Sequence, residues 1–202
     1  MATSPSPRRI GATDSATRAQ LLDAAERLLL EEGYAAVTSR RIGATAGLKP
    51  QLVHYYFRTM DDLFLEVFRR RADENLGRFE EGVADGASLR EVWDLTADVR
   101  GATFLVEFAA LANHRKTIRA EIARYAERFR AAQLAAVTAA LAAAGIDDDA
   151  LPPVVALLLM TGVTQVMGIE RAIGVRAGHK ETVAFIEQLL DRATAGNAVL
   201  RK

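Results

Sequence analysis

Two short helical patterns meet at a glycine in the segment between Thr38 and Leu63. The apolar residues of these patterns recur at helical spacing and are Ile42, Ala46, Leu48, Val53 and Phe57. Gly47 lies between the two patterns and permits the tight corner at which one helix crosses the other. The segment is therefore predicted to fold as a helix-turn-helix whose apolar edges face inward.

The polar residues of this segment predict the kind of partner that it binds. The second short helix and its flanks carry cations, an amide, a histidine and two tyrosines. Hydrogen-bond donors of these kinds suit phosphates and base edges better than a small metabolite. We therefore expect the segment to bind double-stranded DNA. The expected contact residues are Thr38, Ser39, Arg40, Lys49, Pro50, Gln51, Leu52, His54, Tyr55, Tyr56 and Arg58.

Individual roles within this set follow from side-chain chemistry. Gln51 suits adenine and Leu52 suits a thymine methyl group, so both are expected to face the major groove. A cation in the first turn of a helix opposes the helix dipole, and Arg40 is therefore expected to have a phosphate or base as its partner. Consecutive helical residues point about 100° apart, so at most one of Tyr55 and Tyr56 is well buried. The hydroxyl group of Tyr56 is expected to bind a phosphate.

Helical periodicity continues along the rest of the chain, and no segment shows the alternating pattern of a strand. Helices are expected at about residues 17–32, 89–99, 103–112 and 181–193, and the pair at 89–112 is expected to break around Gly101. Thr59-x-x-Asp62 forms a capping pattern that opens a longer helix, and a long alanine-rich helix is expected to stop at Gly145. The fold class predicted is all-α.

Composition and motifs argue against an enzyme or a metal protein. The chain has no cysteine, and His114 and His179 lie far along the chain from His54, so no metal site is expected. It also lacks a glycine-rich phosphate loop, a G-x-S-x-G elbow, an H-E-x-x-H motif and an acid pair with a plausible base. No catalytic residue and no cofactor are therefore expected.

The net charge of zero conceals a difference between the two parts of the chain. Residues 1–60 carry eight Lys and Arg against five Asp and Glu, a net charge of +3, and the remainder therefore carries −3. A basic head on an acidic body fits a DNA-binding protein with a second function, although chance variation explains a difference of this size equally well.

The chain shows no clear membrane or export signal. Its longest apolar run, residues 154–169, contains Thr161, Thr164 and Gln165 and falls short of the roughly 20 apolar residues that a membrane span needs. It is expected to be a buried helix. The polar, proline-containing N-terminal residues lack the apolar core of a signal peptide. With no cysteine present, a cytoplasmic location and no membrane partner are expected.

Residues 17–63 resemble the DNA-binding domain of the TetR family of bacterial transcriptional regulators. The matching features are the Thr-Arg-x-x-Leu-Leu-x-Ala-Ala opening at Thr17, Gly33-Tyr34, Thr38, Ile42 with Ala46-Gly47-Leu48, Tyr55-Tyr56-Phe57 and Leu63. The resemblance implies a helical subunit with two domains, a homodimer built on the last two helices and a ligand cavity in the larger domain. The corresponding division is a tail at 1–14, a DNA-binding domain at 15–60 and a ligand-binding and dimerisation domain at 61–202.

The larger domain contains candidates for both the cavity and the dimer interface. Aromatic and uncharged polar residues suit a cavity for an apolar effector, and the candidates are Phe68, Trp93, Phe104, Phe108, Tyr125, Phe129, Gln133, Thr161 and Gln165. Residues 151–169 are apolar on nearly every face, which favours burial against a second copy. The expected interface residues are Leu158, Gly162, Gln165, Ile169, Phe185, Ile186 and Leu189. Gln165 fits a hydrogen bond across the dimer interface as well as it fits a ligand contact.

The expected function is a ligand-responsive regulator, with repression as the expected direction. A symmetric dimer holds two reading helices about 34–36 Å apart, and an effector that prefers another spacing releases the palindromic DNA operator. The helix that starts after Thr59 is the expected lever. The alternative is a helical adaptor whose helix-turn-helix binds protein, and its support is Met60, which stands where the family often has a phosphate-binding lysine.

Overall fold

Nine α-helices form along residues 16–96 and 99–200, the part of the chain that the structure, a computed structural model, describes. The helices are α1 (Ala16–Glu32), α2 (Ser39–Ala46), α3 (Gln51–Tyr56), α4 (Met60–Val83), α5 (Leu89–Thr96), α6 (Val99–Ala112), α7 (Lys116–Ala143), α8 (Pro153–Ala172) and α9 (His179–Leu200). A short 3₁₀ turn, Tyr34–Ala36, joins α1 to α2. The described residues contain no strand, and the all-α prediction is confirmed.

Local signals in the sequence explain several helix ends. The Thr59 hydroxyl oxygen accepts a hydrogen bond from the Asp62 backbone N–H at 3.0 Å, and the Asp62 carboxylate accepts one from the Thr59 N–H at 3.1 Å. This reciprocal capping box starts α4, as the sequence pattern predicts. Gly145 has a φ of 68°, a left-handed conformation that suits glycine, and it follows the end of α7.

Two boundaries differ from the sequence predictions. α6 begins at Val99, so Gly101 lies inside this helix instead of at a break between helices. One glycine costs a helix interior only about 1 kcal/mol relative to alanine, which the packing of α6 against α7 and α8 overrides. α9 also extends beyond the predicted end at residue 193, to Leu200.

One hydrophobic core joins the helix-turn-helix to the larger bundle. Leu21, Ile42, Val53 and Phe57 of the head are buried in the same cluster as Phe108 of α6. α4 runs along this cluster through Leu63, Phe64, Val67 and Phe68. A second cluster, formed by α5, α7 and α8 around Val92, Val137, Leu141 and Leu157, lies apart from the first. The α4 and α6 helices therefore connect the head to the bundle, and the division at residues 60 and 61 stays a prediction.

α8 is the main departure from the expected burial. The sequence predicts a buried helix, yet within one chain only Ala156, Leu157, Met167 and Gly168 of α8 are buried. The bundle of one chain covers only one side of the helix, and burial of the other side against a second copy, as the sequence analysis expects, stays a prediction. By length and composition alone, α8 is the one helix among the described residues that is long and apolar enough to cross a membrane.

Candidate DNA-binding surface and internal cavity

α3 divides into an apolar edge and a polar edge, as its sequence predicts. Val53 and the following Phe57 are almost fully buried in the head, whereas Gln51, His54 and Tyr55 are exposed. Pro50 precedes the helix with φ and ψ of −56° and −29°, a helical conformation that suits proline before the first full turn. We call the polar edge of α3, together with exposed Arg40, Lys49 and Arg58, the reading surface.

The corner between α2 and α3 depends on two glycines. Gly47 has a φ of 68° and a ψ of 26°, the left-handed conformation that ends α2. Gly43 lies one turn earlier, and a Cβ atom there would stand 2.9 Å from the Leu48 carbonyl oxygen and 3.0 Å from the Pro50 nitrogen. Only glycine therefore allows the start of α3 to approach α2 this closely. Gly43 was not predicted from the sequence, although a glycine next to the inward-facing Ile42 is the signal that points to it.

The two arginines in the first turn of α2 have different partners. Arg41 donates two hydrogen bonds to the Glu32 carboxylate, at 2.7 and 2.5 Å, and its pKa is raised by this hydrogen bonding. Arg40 is exposed and makes no hydrogen bond or ion pair with the described residues. This difference agrees with the expectation that Arg40 is the cation free to contact DNA.

The remaining predicted contacts surround α3. The Thr38 hydroxyl oxygen accepts a hydrogen bond from the Arg41 N–H at 3.3 Å and caps α2, which leaves the hydroxyl hydrogen for a phosphate. Tyr55 is exposed, and Tyr56 is half-buried against the core with its ring centroid 5.0 Å from that of Tyr55. The other predicted contacts, the half-buried Ser39 and Leu52, lie on α2 and α3.

A cavity of about 210 Å³ lies between α4, α5, α6, α7 and α8. Its walls include four stacked or edge-on aromatic residues, Phe68, Phe104, Tyr125 and Phe129. Gln133, Thr161 and Gln165 also line it, so seven of the nine candidates from the sequence meet at one place. The clustering supports a ligand site here, and the role of each residue stays a prediction.

Two candidates do not line this cavity. Phe108 lies one helical turn after Phe104 and is fully buried, with its ring centroid 5.0 Å from that of Phe68, so it packs behind the wall. Trp93 is also buried, but α5 reaches the cavity through Leu95 and Thr96. Successive helical positions point about 100° apart, and sequence spacing alone does not tell which of them faces the space.

Five polar lining residues were not predicted from the sequence, and they are Arg71, Asn75, Thr96, Arg130 and Thr164. Arginine and asparagine on an amphipathic helix have the pattern of a solvated face, so the pattern does not predict that they line a cavity. Spacing could have suggested Arg130, because it lies one position from Phe129 and three from Gln133 on the same long helix.

An exposed apolar stripe follows one side of α8. Its residues recur at helical spacing, with Leu159 and Val166 60% and 54% exposed, and Leu158 and Ile169 on either side. Phe185 and Leu189 of α9 are exposed one turn apart, 58% and 46%, whereas Ile186 is half-buried. We call these two helical faces the α8–α9 surface. Gly162 is exposed within the stripe, and Gln165 lies between the stripe and the cavity.

A hydrogen bond also links α6 directly to the head. The Glu107 carboxylate accepts a hydrogen bond of 2.9 Å from the backbone N–H of Tyr34, in the turn between α1 and α2. A Cβ atom on neighbouring Gly33, whose φ is 81°, would come within 3.3 Å of the same carboxylate oxygen. Glu107 lies three residues beyond Phe104 in the cavity wall. The same helix therefore contacts both the cavity and the head.

Metal binding has no support in the described part of the chain. No group of three or more His, Asp or Glu residues there is close enough to hold a metal ion. His179 instead lies 2.6 Å from the Glu170 carboxylate, between the end of α8 and the start of α9.

Comparisons with known proteins point to a family of regulators. The sequence model of bacterial regulatory proteins, tetR family, matches residues 21–67. The HTH-type transcriptional repressor KstR2 of Rhodococcus jostii (strain RHA1) is 31% identical over 86 residues, 43% of this chain and 42% of that protein. The HTH-type transcriptional regulator BetI of Rhizobium meliloti (strain 1021) is 40% identical over 52 residues, 26% of each chain. The chain thus spans less than half the length of these curated relatives.

A solved structure extends the likeness over the whole fold. A transcriptional regulator from Saccharomonospora viridis, in complex with choline, has a TM-score of 0.71 and covers 87% of this chain and 93% of its own. Its sequence identity of 19% establishes a shared fold alone.

Proposed function

This chain belongs to the TetR family of bacterial regulatory proteins, and we propose that it represses transcription as a homodimer that releases a palindromic operator when an effector fills the cavity. The observation that carries the proposal is the division of α3, with Val53 buried and Gln51 and His54 exposed. Side chains that can reach base edges are thereby held on a helix whose other edge is fixed in the core. TetR-family regulators are not enzymes, which agrees with the absence of catalytic motifs.

Repression is the proposed direction because the relative KstR2 is named a transcriptional repressor. A cytoplasmic location is proposed with it, since the partner is chromosomal DNA. The adaptor alternative is not favoured. Its support was Met60, and Met60 packs partly buried against the core, where an apolar side chain has a structural reason to be.

The homodimer is proposed from the α8–α9 surface. Single exposed apolar residues are common, but a continuous stripe along a 20-residue helix is typical of an interface. Pairing with the same surface of a second copy would build an isologous four-helix contact. Burial in this contact would also explain why α8 is long and apolar, so no membrane is needed to explain it.

Coupling between cavity and head is proposed to run through α4 and α6. Phe68 of α4 lines the cavity, and Phe64 of the same helix packs against the head. Arg70 of α4 also donates hydrogen bonds to Asp23 at 2.6 Å and Glu26 at 2.8 Å on α1. An effector that shifts α4 or α6 would therefore move the head and change the distance between the two reading surfaces.

Replacement of Arg40 with alanine is expected to weaken operator binding about ten-fold while the fold survives, because one cationic contact is lost from an exposed position. Tyr56→Phe should weaken binding by a smaller factor, since only a hydroxyl group is removed. Fluorescence anisotropy with a duplex selected from a random pool measures both. Arg128→Ala, an exposed arginine on α7, is the control. Equal affinity for Arg40→Ala and wild type would remove this residue assignment.

Replacement of Glu107 with alanine is expected to loosen the turn between α1 and α2. The Tyr34 N–H would lose its acceptor, at a cost of about 1–2 kcal/mol, so its hydrogen exchange should speed up about ten-fold and operator affinity should fall. Glu107→Gln keeps an acceptor oxygen and should restore most of both properties. Unchanged exchange at Tyr34 in Glu107→Ala would show that this contact does not hold the head.

A further inference from the structure

The cavity has apolar walls that fit ligands of either charge. Four aromatic rings, Phe68, Phe104, Tyr125 and Phe129, form much of its lining. Such rings attract cations through their faces, and they also pack against the apolar body of an anion. The polar residues of the lining must therefore decide the class of ligand.

The charged residues of the lining have one sign. Arg71 and Arg130 line the cavity, and no carboxylate is among the described residues that do so. The aromatic walls strengthen the interaction of these charges with a bound ion relative to bulk water, and the cavity is open to solvent on the side of the exposed Arg130 and Gln165. Two guanidinium groups make the binding free energy of a cation less favourable and that of an anion more favourable.

Gln133 supplies an amide to the lining. Its side chain lies on α7, is only 6% exposed and lines the cavity, and it makes no hydrogen bond with the described residues. A ligand that accepts a hydrogen bond from the amide N–H group would give this side chain a partner. Arg130 lies three residues earlier, on the same face of the helix.

Tyr125 supplies a second donor. Its hydroxyl oxygen accepts a hydrogen bond of 2.8 Å from the Asn75 amide, which leaves the hydroxyl hydrogen available. Burial raises the pKa of Tyr125, so the group stays protonated and can donate at neutral pH. Thr161 and Thr164 already donate to helix carbonyls, including that of Leu157 at 2.8 Å. The Tyr125 hydroxyl group therefore has a hydrogen that can be donated to an anion, whereas those of Thr161 and Thr164 are already used.

We propose that the cavity binds a small organic carboxylate, with its charged end at Arg130 and Gln133 and its apolar body between Phe68, Phe104 and Phe129. This rests on the proposed function in treating the cavity as the effector site. A cavity of about 150 Å³ is enough for benzene, so the 210 Å³ here holds one ring or a short branched chain with a carboxylate.

The test uses three probes of similar shape and different charge on the full chain. Phenylacetate, neutral phenylacetamide and cationic phenethylamine are titrated by calorimetry, with choline and inorganic phosphate alongside. Phenylacetate should bind at least ten-fold more tightly than the other probes, because only it combines an aromatic body with a carboxylate. Tighter binding of the amide, the amine or choline would overturn the proposal, as would the absence of phenylacetate binding.

Variants locate the binding. Arg130→Gln should lower phenylacetate affinity about ten-fold and change phenylacetamide affinity less than about two-fold, because it removes the charge and keeps a polar side chain. Arg128→Gln is the matched control, since Arg128 lies 3.6 Å from Asp73 and does not line the cavity. Equal losses in the two variants would contradict a site at Arg130.

Operator binding is measured separately, by anisotropy without any probe. Phenylacetate binding without DNA binding would contradict the proposed function and would still support the carboxylate site. DNA binding without phenylacetate binding would overturn the carboxylate site and would agree with the proposed function.

Discussion

Replacement of Gly43 with alanine is expected to force α2 and α3 apart and to lower operator affinity more than ten-fold. The added methyl group would stand 2.9–3.1 Å from atoms of Leu48 and Pro50, all of which belong to the backbone and cannot rotate away. Overpacking of this kind costs about 1–3 kcal/mol, against a gain of about 1 kcal/mol in helix propensity. The clash therefore prevails, and the resulting shift displaces the reading surface.

Gly77→Ala is the matched control for Gly43→Ala. Gly77 also lies inside a helix, α4, and a Cβ atom there would meet no atom within 4 Å. Alanine should therefore stabilise the protein by about 0.5–1 kcal/mol and leave operator affinity unchanged. Thermal unfolding and anisotropy measure the two effects. If Gly43→Ala is as stable and binds as tightly as Gly77→Ala, the close approach of α2 and α3 is not needed.

Replacement of Val166 with glutamate is expected to separate the proposed dimer and to lower operator affinity about 100-fold. Val166 is 54% exposed in the middle of the α8 stripe, so a charge there would be buried between two copies without a partner. A monomer binds one half-site at a time and loses the advantage of two linked contacts, which is typically 10²- to 10⁴-fold. Sedimentation velocity gives the mass, and anisotropy on the full palindrome gives the affinity.

Val106→Glu is the control for the dimer prediction. Val106 is an exposed valine on α6, outside the α8–α9 surface, and its replacement should leave both mass and affinity unchanged. A wild-type protein that sediments as a monomer would contradict the proposed dimer, and a dimeric Val166→Glu variant would place the interface elsewhere.

The head of the molecule could be predicted from sequence because its signals are local. The corner at Gly47, the capping box at Thr59 and Asp62 and the alternation of apolar and polar residues along α3 all act within a few residues. The structure places the predicted apolar residues Val53 and Phe57 inside. The cavity aromatics were also predictable as a group, because large apolar residues on several helices must meet somewhere in the bundle.

The features that the sequence analysis missed depend on contacts between distant segments. Gly43 matters because the backbone of Leu48 and Pro50 lies against it, and Glu107 matters because it meets Tyr34 across 73 positions of sequence. Arg130 has the pattern of a solvated residue and is exposed, and only the positions of α4, α6 and α8 show that it borders the cavity. The exposure of one side of α8 in a single chain agrees with the expectation that a second copy covers it, although apolarity alone does not say which chain provides the cover.

Salt titration of operator binding tests whether the polar edge of α3 binds duplex DNA. The wild-type chain is titrated at several salt concentrations with a duplex selected from a random pool and with a scrambled duplex. Affinity for the selected duplex should fall linearly on logarithmic axes, with a slope of about −0.9 for each neutralised phosphate, and should stay well above that for the scrambled duplex. An affinity that is independent of salt, or equal for the two duplexes, would contradict this claim.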